Sequence, residues 1–305
     1  MAVSGKKPGA LRSRAQGETW SLGERNPGTL YVVSTPIGNL EDMTLRAIRV
    51  LKSVNLIAAE GVQHSRGLCR HYGIRTRLTA YNQHNRKAKG PELIRKLRSG
   101  WDIALVTNAG TPGISDPGAR LVTQALEEQI RVSPIPGPSV VTAALSASGM
   151  RADRFVFVGF LSHSRGKRRK ELETLSRERH SMVLMEAPHR LQATLTDLRD
   201  ILGNRQTVLL RELTKVYEEV IRGSVTEILE GLQGGQIKGE CTLVVSGQET
   251  VEKKKSPDEG VINKIRDLLT EGRMSTRDIA EKLSNEEGMN YREMYKLCLS
   301  MKKQM

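Results

Sequence analysis

The residues best suited to chemistry in this chain sit where apolar runs end. Ile103 to Gly118 reads IALVTNAGTPGISDPG, four apolar residues followed by a stretch holding three glycines and two prolines. Glycine lets a backbone approach a ligand closely, and proline limits the entropy lost when a loop is ordered on binding. Thr107, Asn108, Thr111, Ser115 and Asp116 add small donors and acceptors without bulk. The pattern predicts a buried strand feeding a stiff loop that cradles a small molecule. The alternative for the same residues is a structural crossover loop.

Two further units repeat the arrangement. Leu30 to Val33 runs into Thr35, Pro36, Gly38 and Asn39, with a helix expected after Glu41 and Asp42. Val132 to Ser139 reads VSPIPGPS and leads into the small-residue helix VVTAALSASGM. Three strand–loop–helix units with ligand-type loops at the strand ends describe an open α/β sheet, which binds at the carboxyl edge of its strands. Neither GxGxxG nor GxxxxGK[ST] occurs in these loops, so neither a standard dinucleotide site nor a P-loop is indicated.

These loops need a scaffold. Strands are expected at 30–34, 56–60, 76–80 and 103–107, and helices near 44–51, 64–71, 91–98 and 118–128. A second α/β set follows, with strands at 154–158, 181–186, 207–211 and 241–246 and helices at 191–201 and 225–232. The organisation is a flexible basic tail at 1–27, an α/β domain at 28–140, a second at 141–249, a charged linker at 250–258 and a small helical module at 259–305. In that module 261–269, 275–283 and 291–300 have amphipathic spacing, and Ser275 three residues before Asp278 suits a helix N-cap. Such a module reads either as a helix-turn-helix-like element or as a packing appendage.

Composition narrows the class. The chain has 38% hydrophobic and 27% charged residues and no apolar run long enough for a membrane span. Cys69, Cys241 and Cys298 lie far apart with no metal-ligand spacing, so no metal and no disulfide framework are expected, and a cytoplasmic setting fits. The net charge is +14, concentrated in 162–180 (SHSRGKRRKELETLSRERH) and between Arg66 and Lys89. Such clusters suit a phosphate backbone, although Glu171, Glu173 and Glu178 allow a merely solvated helix face for the first. With three Phe, six Tyr and two Trp, base stacking is not the expected source of affinity.

Six ordered motifs, TPIGNLED, AGTPGISDPG, PGPS, EAPHR, RELTK and GECTLVVSG, span most of the chain from Thr29 to Gly247. Together they resemble the ribosomal RNA small-subunit methyltransferase I family of the tetrapyrrole methylase superfamily. The resemblance implies two α/β domains with S-adenosylmethionine in the cleft between them, as a homodimer. It also implies 2′-O-methylation of a cytidine in the decoding region of small-subunit ribosomal RNA, with the RNA or the ribosomal subunit as partner. By position it puts Pro36, Gly38, Ala109, Gly110, Thr111, Ile114, Ser115, Ser139, Val140, Met185, Ala187, Glu212 and Leu213 at the cofactor. It also brings Glu186 and Lys215 to the cleft as candidate bases for the ribose hydroxyl, with Glu60 a third; Lys215 qualifies only with a strongly lowered pKa and otherwise holds phosphate.

Two motifs depart from the family pattern. Where AEDTR is usual, this chain reads Ala59-Glu60-Gly61-Val62-Gln63, and where SDAGTP is usual it reads TNAGTP from Thr107 to Pro112. Carboxylates are thereby lost at 61 and 108. The rival functions are a methyltransferase for a tetrapyrrole or another small molecule, which has no need of the +14 charge, and an RNA-binding relative with weakened catalysis.

Overall fold

The computed structural model describes residues 26–115, 118–232, 237–248 and 258–304. Residues 1–25 of the basic tail, Asp116 in the long loop and most of the expected linker lie outside the described residues. The described residues up to Gln248 form one compact unit and those from Asp258 onward a second.

The first half of the larger unit runs β1 (Thr29–Val33), α1 (Leu45–Ser53), β2 (Leu56–Ala59), α2 (Val62–His71), β3 (Leu78–Ala80), α3 (Arg86–Arg98), β4 (Ile103–Val106), α4 (Gly118–Glu127) and β5 (Arg131–Ile135). The five strands form a parallel sheet in the order β3-β2-β4-β1-β5. Helices cover both faces, which is why β2 and β4 are buried at every residue and read as unbroken apolar runs. Val33, Ile57, Ala59 and Val106 pack with Ala47 and Leu51 of α1 and Leu68 of α2. Leu30, Ala58 and Leu105 pack with Leu93 and Leu97 of α3 and Leu121 of α4.

The second half runs α5 (Val140–Ser148), β6 (Phe155–Phe160), α6 (Arg165–Thr174), β7 (Ser181–Glu186), α7 (Leu191–Leu202), β8 (Gln206–Arg211), β9 (Glu219–Ser224), α8 (Val225–Gly231) and β10 (Cys241–Val245). Its sheet is mixed, in the order β6-β7-β10-β8-β9, with only the β6–β7 pair parallel. One face packs on α5 through Val141, Ala144 and Leu145. The other carries Leu172 of α6, Leu191, Leu195 and Leu198 of α7, and Val225 and Ile228 of α8.

Three elements differ from the sequence expectation. Helix α3 starts at Arg86 rather than near Pro91, because Asn82 and Asn85 bond each other's backbone N–H groups just before it. Strand β9 carries Glu219, Arg222 and Ser224 on the edge of the sheet, where charged residues belong and apolar alternation fades. Helix α6 buries only Arg168 and Leu172, so it has almost no apolar stripe to recognise.

The C-terminal unit holds α9 (Glu259–Glu271), α10 (Thr276–Glu287) and α11 (Tyr291–Gln304). Val261, Ile265, Ile279, Leu283, Met294 and Cys298 make its core. Ser275 caps α10 in a reciprocal capping box with Asp278.

Candidate functional site

Two loops of the parallel sheet are stapled together. Thr35 N donates to Gly110 O and Gly110 N to Thr35 O, both at 3.0 Å, an isolated antiparallel bridge. The Ser34 and Thr111 hydroxyls meet at 2.8 Å. Buried Thr35 Oγ1 donates to Thr107 O at 3.2 Å. The TPIGN and TNAGTP segments thus form one rigid ledge beyond the ends of β1 and β4.

The mixed sheet supplies the facing wall. A Cβ on Gly38 would lie 2.5 Å from Lys215 Cγ and 2.8 Å from Leu213 O, so only glycine admits the RELTK turn. Asn39 N donates to Thr214 Oγ1 at 3.0 Å across the same seam. Glu212 and Thr214 both adopt positive φ, 49° and 66°, conformations that L residues enter only when neighbours hold them.

Between the two walls lies a cavity of about 480 Å³. Ala109, Gly110, Thr111, Ile114, Ser115, Ser139, Val140, Met185, Ala187 and Leu213 all line it, together with Glu60 and Glu186. Its size falls in the range of about 300–1,000 Å³ that holds small molecules. Among the described residues its lining is hydroxyls, carbonyl-bearing loop backbone, apolar side chains and glutamates, with no Lys, Arg or His. Such a wall suits a cationic, hydrogen-bonding ligand and offers no basic cradle for a phosphate.

A wider groove of about 1,110 Å³ adjoins it. Ile37, Glu60, Asn108, Ala109 and Glu240 line both spaces. Pro36, Gly38 and Lys215 line only this groove, with Gly61, Val62, Gln63 and His64. Pro36 and Gly38 therefore shape the junction rather than the smaller cavity. Glu212 lines neither space: it accepts from Glu240 N at 2.9 Å and from Lys215 Nζ at 3.0 Å. The resemblance puts it at the cofactor; its bonds here are those of an anchor for the turn.

The three candidate bases stand differently. Glu186 is buried, and Arg190 Nη2 at 3.2 Å and Thr194 Oγ1 at 2.6 Å donate to its Oε2 while Ala187 N at 2.8 Å donates to its Oε1. Arg190 Nε also lies 3.2 Å from Oε1, close enough for attraction but poorly angled for a hydrogen bond. A carboxylate engaged in this way braces the EAPHR turn, which weighs against the reading of Glu186 as a base. Lys215 does not meet the condition set for a base either. Burial disfavours its charge, but Glu240 at 2.9 Å and Glu212 at 3.0 Å outweigh burial and hold its pKa above the usual lysine value. Glu212 in turn is held below the usual carboxylate range by the Glu240 N–H and by Lys215. Glu60 is half-buried and accepts one hydrogen bond, from Asn108 N at 3.2 Å, leaving a carboxylate oxygen facing both spaces.

The two departures from the family pattern touch each other. A Cβ at Gly61 would collide with Asn108 Oδ1. Asn108, one of the polar residues expected on the ligand loop, lines the smaller cavity, as do Ile37, Phe160, Glu240 and Thr242, which the sequence reading missed. Glu240 and Thr242 fall inside the GECTLVVSG motif, the signal that could have found them; Phe160 ends the apolar strand β6 with no polar mark. The Cys241 thiol on the same wall is pushed up to about 11 by burial, so it stays protonated at neutral pH. Among the described residues no group of three or more His, Cys, Asp or Glu is placed to hold a metal ion, and no helix is long and apolar enough to cross a membrane.

Comparison with known proteins gives a consistent picture. The model of the tetrapyrrole (corrin/porphyrin) methylases matches residues 29–229. A ribosomal RNA small subunit methyltransferase I of Synechocystis is 42% identical over 275 residues, 90% of this chain and 98% of that protein. The protein of the same name from Bacillus subtilis is 46% identical over 230 residues, 75% of this chain and 79% of that protein. Among solved structures, a uroporphyrin-III C-methyltransferase of Thermus thermophilus complexed with S-adenosylhomocysteine has a TM-score of 0.53 at 18% identity, covering 72% of this chain and 97% of that one. A cobalt-precorrin-4 methyltransferase has a TM-score of 0.56 at 13% identity, covering 72% and 94%. At those identities the structures establish the fold alone.

Proposed function

The chain belongs to the ribosomal RNA small subunit methyltransferase I family of the tetrapyrrole methylases, and on that premise we propose that it methylates the ribose 2′-oxygen of a cytidine in the decoding region of small-subunit ribosomal RNA, with S-adenosylmethionine as donor. The observation that carries the reading is the junction of the two spaces at Glu60, Asn108 and Glu240. A donor in the 480 Å³ cavity and an acceptor in the 1,110 Å³ groove meet only there.

The smaller cavity fits the donor. Its glutamates and oxygen-rich loops suit a sulfonium cation, and Thr111, Ser115, Ser139 and Thr242 offer hydroxyls for an amino-acid head and a ribose. When bound, S-adenosylmethionine supplies an electrophilic methyl group whose departure leaves a neutral thioether. Alignment of hydroxyl and methyl is therefore the main demand on the protein, and the stapled loops meet it by rigidity. Glu60 takes the hydroxyl proton at its free carboxylate oxygen, while Asn108 N holds the other oxygen. Lys215, kept cationic, faces a phosphate or ribose oxygen from the groove side. The Glu186–Arg190 pair fixes the EAPHR turn on which Met185 and Ala187 flank the donor. The same reading has the chain acting in the cytoplasm as a homodimer.

The test is transfer of a labelled methyl group to small ribosomal subunits that lack their own ribose methylation, followed by mapping. Label on one ribose 2′-oxygen in the decoding region is the expected result. Label on a base, or transfer only to a small tetrapyrrole, overturns it.

A further inference from the structure

Helix α6 carries five cations, Arg165, Lys167, Arg168, Arg169 and Lys170, against two acids, of which Glu171 is engaged and Glu173 is exposed. Of the carboxylates packed near it, Glu171 accepts from Ser162 N at 2.9 Å and from the Ser162 hydroxyl. Asp197 on α7 is 1% exposed and binds Arg168 at 2.7 Å and Arg169 at 2.9 Å. No acid lies in the first turn of α6, and the side chain of its cap residue Ser164 makes no bond to the helix. Arg165 also lies 3.5 Å from Asp197 but its side chain is 70% exposed, and Lys167 and Lys170 face solvent, with His163 exposed just ahead of them.

The helix is also tied to the donor cavity. Phe160, at the end of β6, lines that cavity and is 58% exposed. The next two residues are gripped by Arg190, whose Nη2 donates to Leu161 O at 2.8 Å and Ser162 O at 3.2 Å. The same guanidinium is held by Glu186 at the cavity wall. One buried arginine thus links the methyl-transfer wall to the loop that launches the cationic helix.

We propose that the exposed cations of α6, Arg165, Lys167 and Lys170, form the docking surface for the phosphate backbone of the substrate RNA, and that Arg190 sets the position of this surface relative to the site. The inference rests on the proposed function. An exposed cationic face of this kind gains affinity by counterion release, at about 0.7 units of log–log salt slope per phosphate on single strands. Three contacts amount to a slope change of roughly 2.

The experiment compares binding of a small-subunit ribosomal RNA fragment across a salt series for three proteins: wild type, the triple variant R165Q/K167Q/K170Q, and the charge-matched control R46Q/R49Q/K52Q on α1, whose residues are equally exposed. S-adenosylmethionine binding is measured on each and is expected to be unchanged, which verifies folding. The expected result is a slope lower by roughly 2 and RNA affinity down at least tenfold at low salt for the α6 variant alone, with K167R/K170R retaining both. Equal losses in both triple variants, or in neither, overturn the proposal. Unchanged RNA binding with weakened binding to assembled subunits also overturns it, because the face then meets a ribosomal protein. Failure of the wild type to methylate subunits counts against the proposed function instead, since the binding comparison reads α6 without turnover.

Discussion

Each sheet ends a central strand with a glutamate, and the two glutamates have opposite fates. Glu60 follows β2 of the parallel sheet, is half-buried, and accepts one hydrogen bond from Asn108 N. Glu186 ends β7 of the mixed sheet, is buried, and is engaged by Arg190, Thr194 and its neighbour Ala187. Both face the same cavity. The contrast teaches that a base is recognised by the oxygen it has free, and that a carboxylate with every acceptor occupied is part of the wall.

The largest effect expected is on Glu60. Glu60→Gln should lower the methyl-transfer rate by about 10²–10⁴, the range for loss of a positioned base, while binding of the donor stays within about threefold. Glu186→Gln should act on stability instead. Removing one partner of a buried ion pair costs about 3 kcal/mol, so its melting point should fall clearly while turnover per folded molecule changes much less.

Gly38→Ala comes next. The added Cβ meets Leu213 O and Lys215 Cγ, neither of which yields without moving the RELTK turn, so a loss of about 1–3 kcal/mol is expected in denaturant unfolding. Gly61→Ala meets only the end of the Asn108 side chain, which can rotate, so it should cost less stability and act on turnover by displacing Asn108 from the junction.

A smaller test concerns pH. Lys215 has a raised pKa, so its pairing stabilises the fold fully below the ordinary lysine value of about 10.4 and is lost only as pH rises through the higher folded value. Glu212, held low, contributes above about pH 4.3 and is lost as pH falls through its depressed value. The pair is therefore intact between these limits. Lys215→Arg should leave the shape of the pH–rate profile from pH 6 to 9 unchanged; a limb that vanishes in this variant would restore lysine as a base.

Much of this contrast was legible before any coordinates. The unbroken apolar runs at Ile103–Val106 and Leu56–Ala59 and the Gly/Pro loops behind them revealed a helix-covered parallel sheet and its ligand edge. Ten of the thirteen residues carried over by motif do line the smaller cavity. What was not legible depends on three-dimensional partners. Nothing near Glu186 in sequence shows that Thr194, eight residues on, donates to its Oε2. Nothing in RELTK shows that Glu240 clamps Lys215 from another strand. The contact between Gly61 and Asn108 joins residues 47 apart, and α6 lacked an apolar stripe because its inner face is an arginine held by an aspartate.

The most direct test of the account is single-turnover methyl transfer to small subunits by the wild type, Glu60→Gln and Glu186→Gln, each saturated with S-adenosylmethionine. The account predicts label on one ribose 2′-oxygen for the wild type, a rate at least 100-fold lower for Glu60→Gln, and a rate within about tenfold for folded Glu186→Gln. A Glu60→Gln enzyme as fast as the wild type, or a Glu186→Gln enzyme that is folded, saturated and inert, would contradict it.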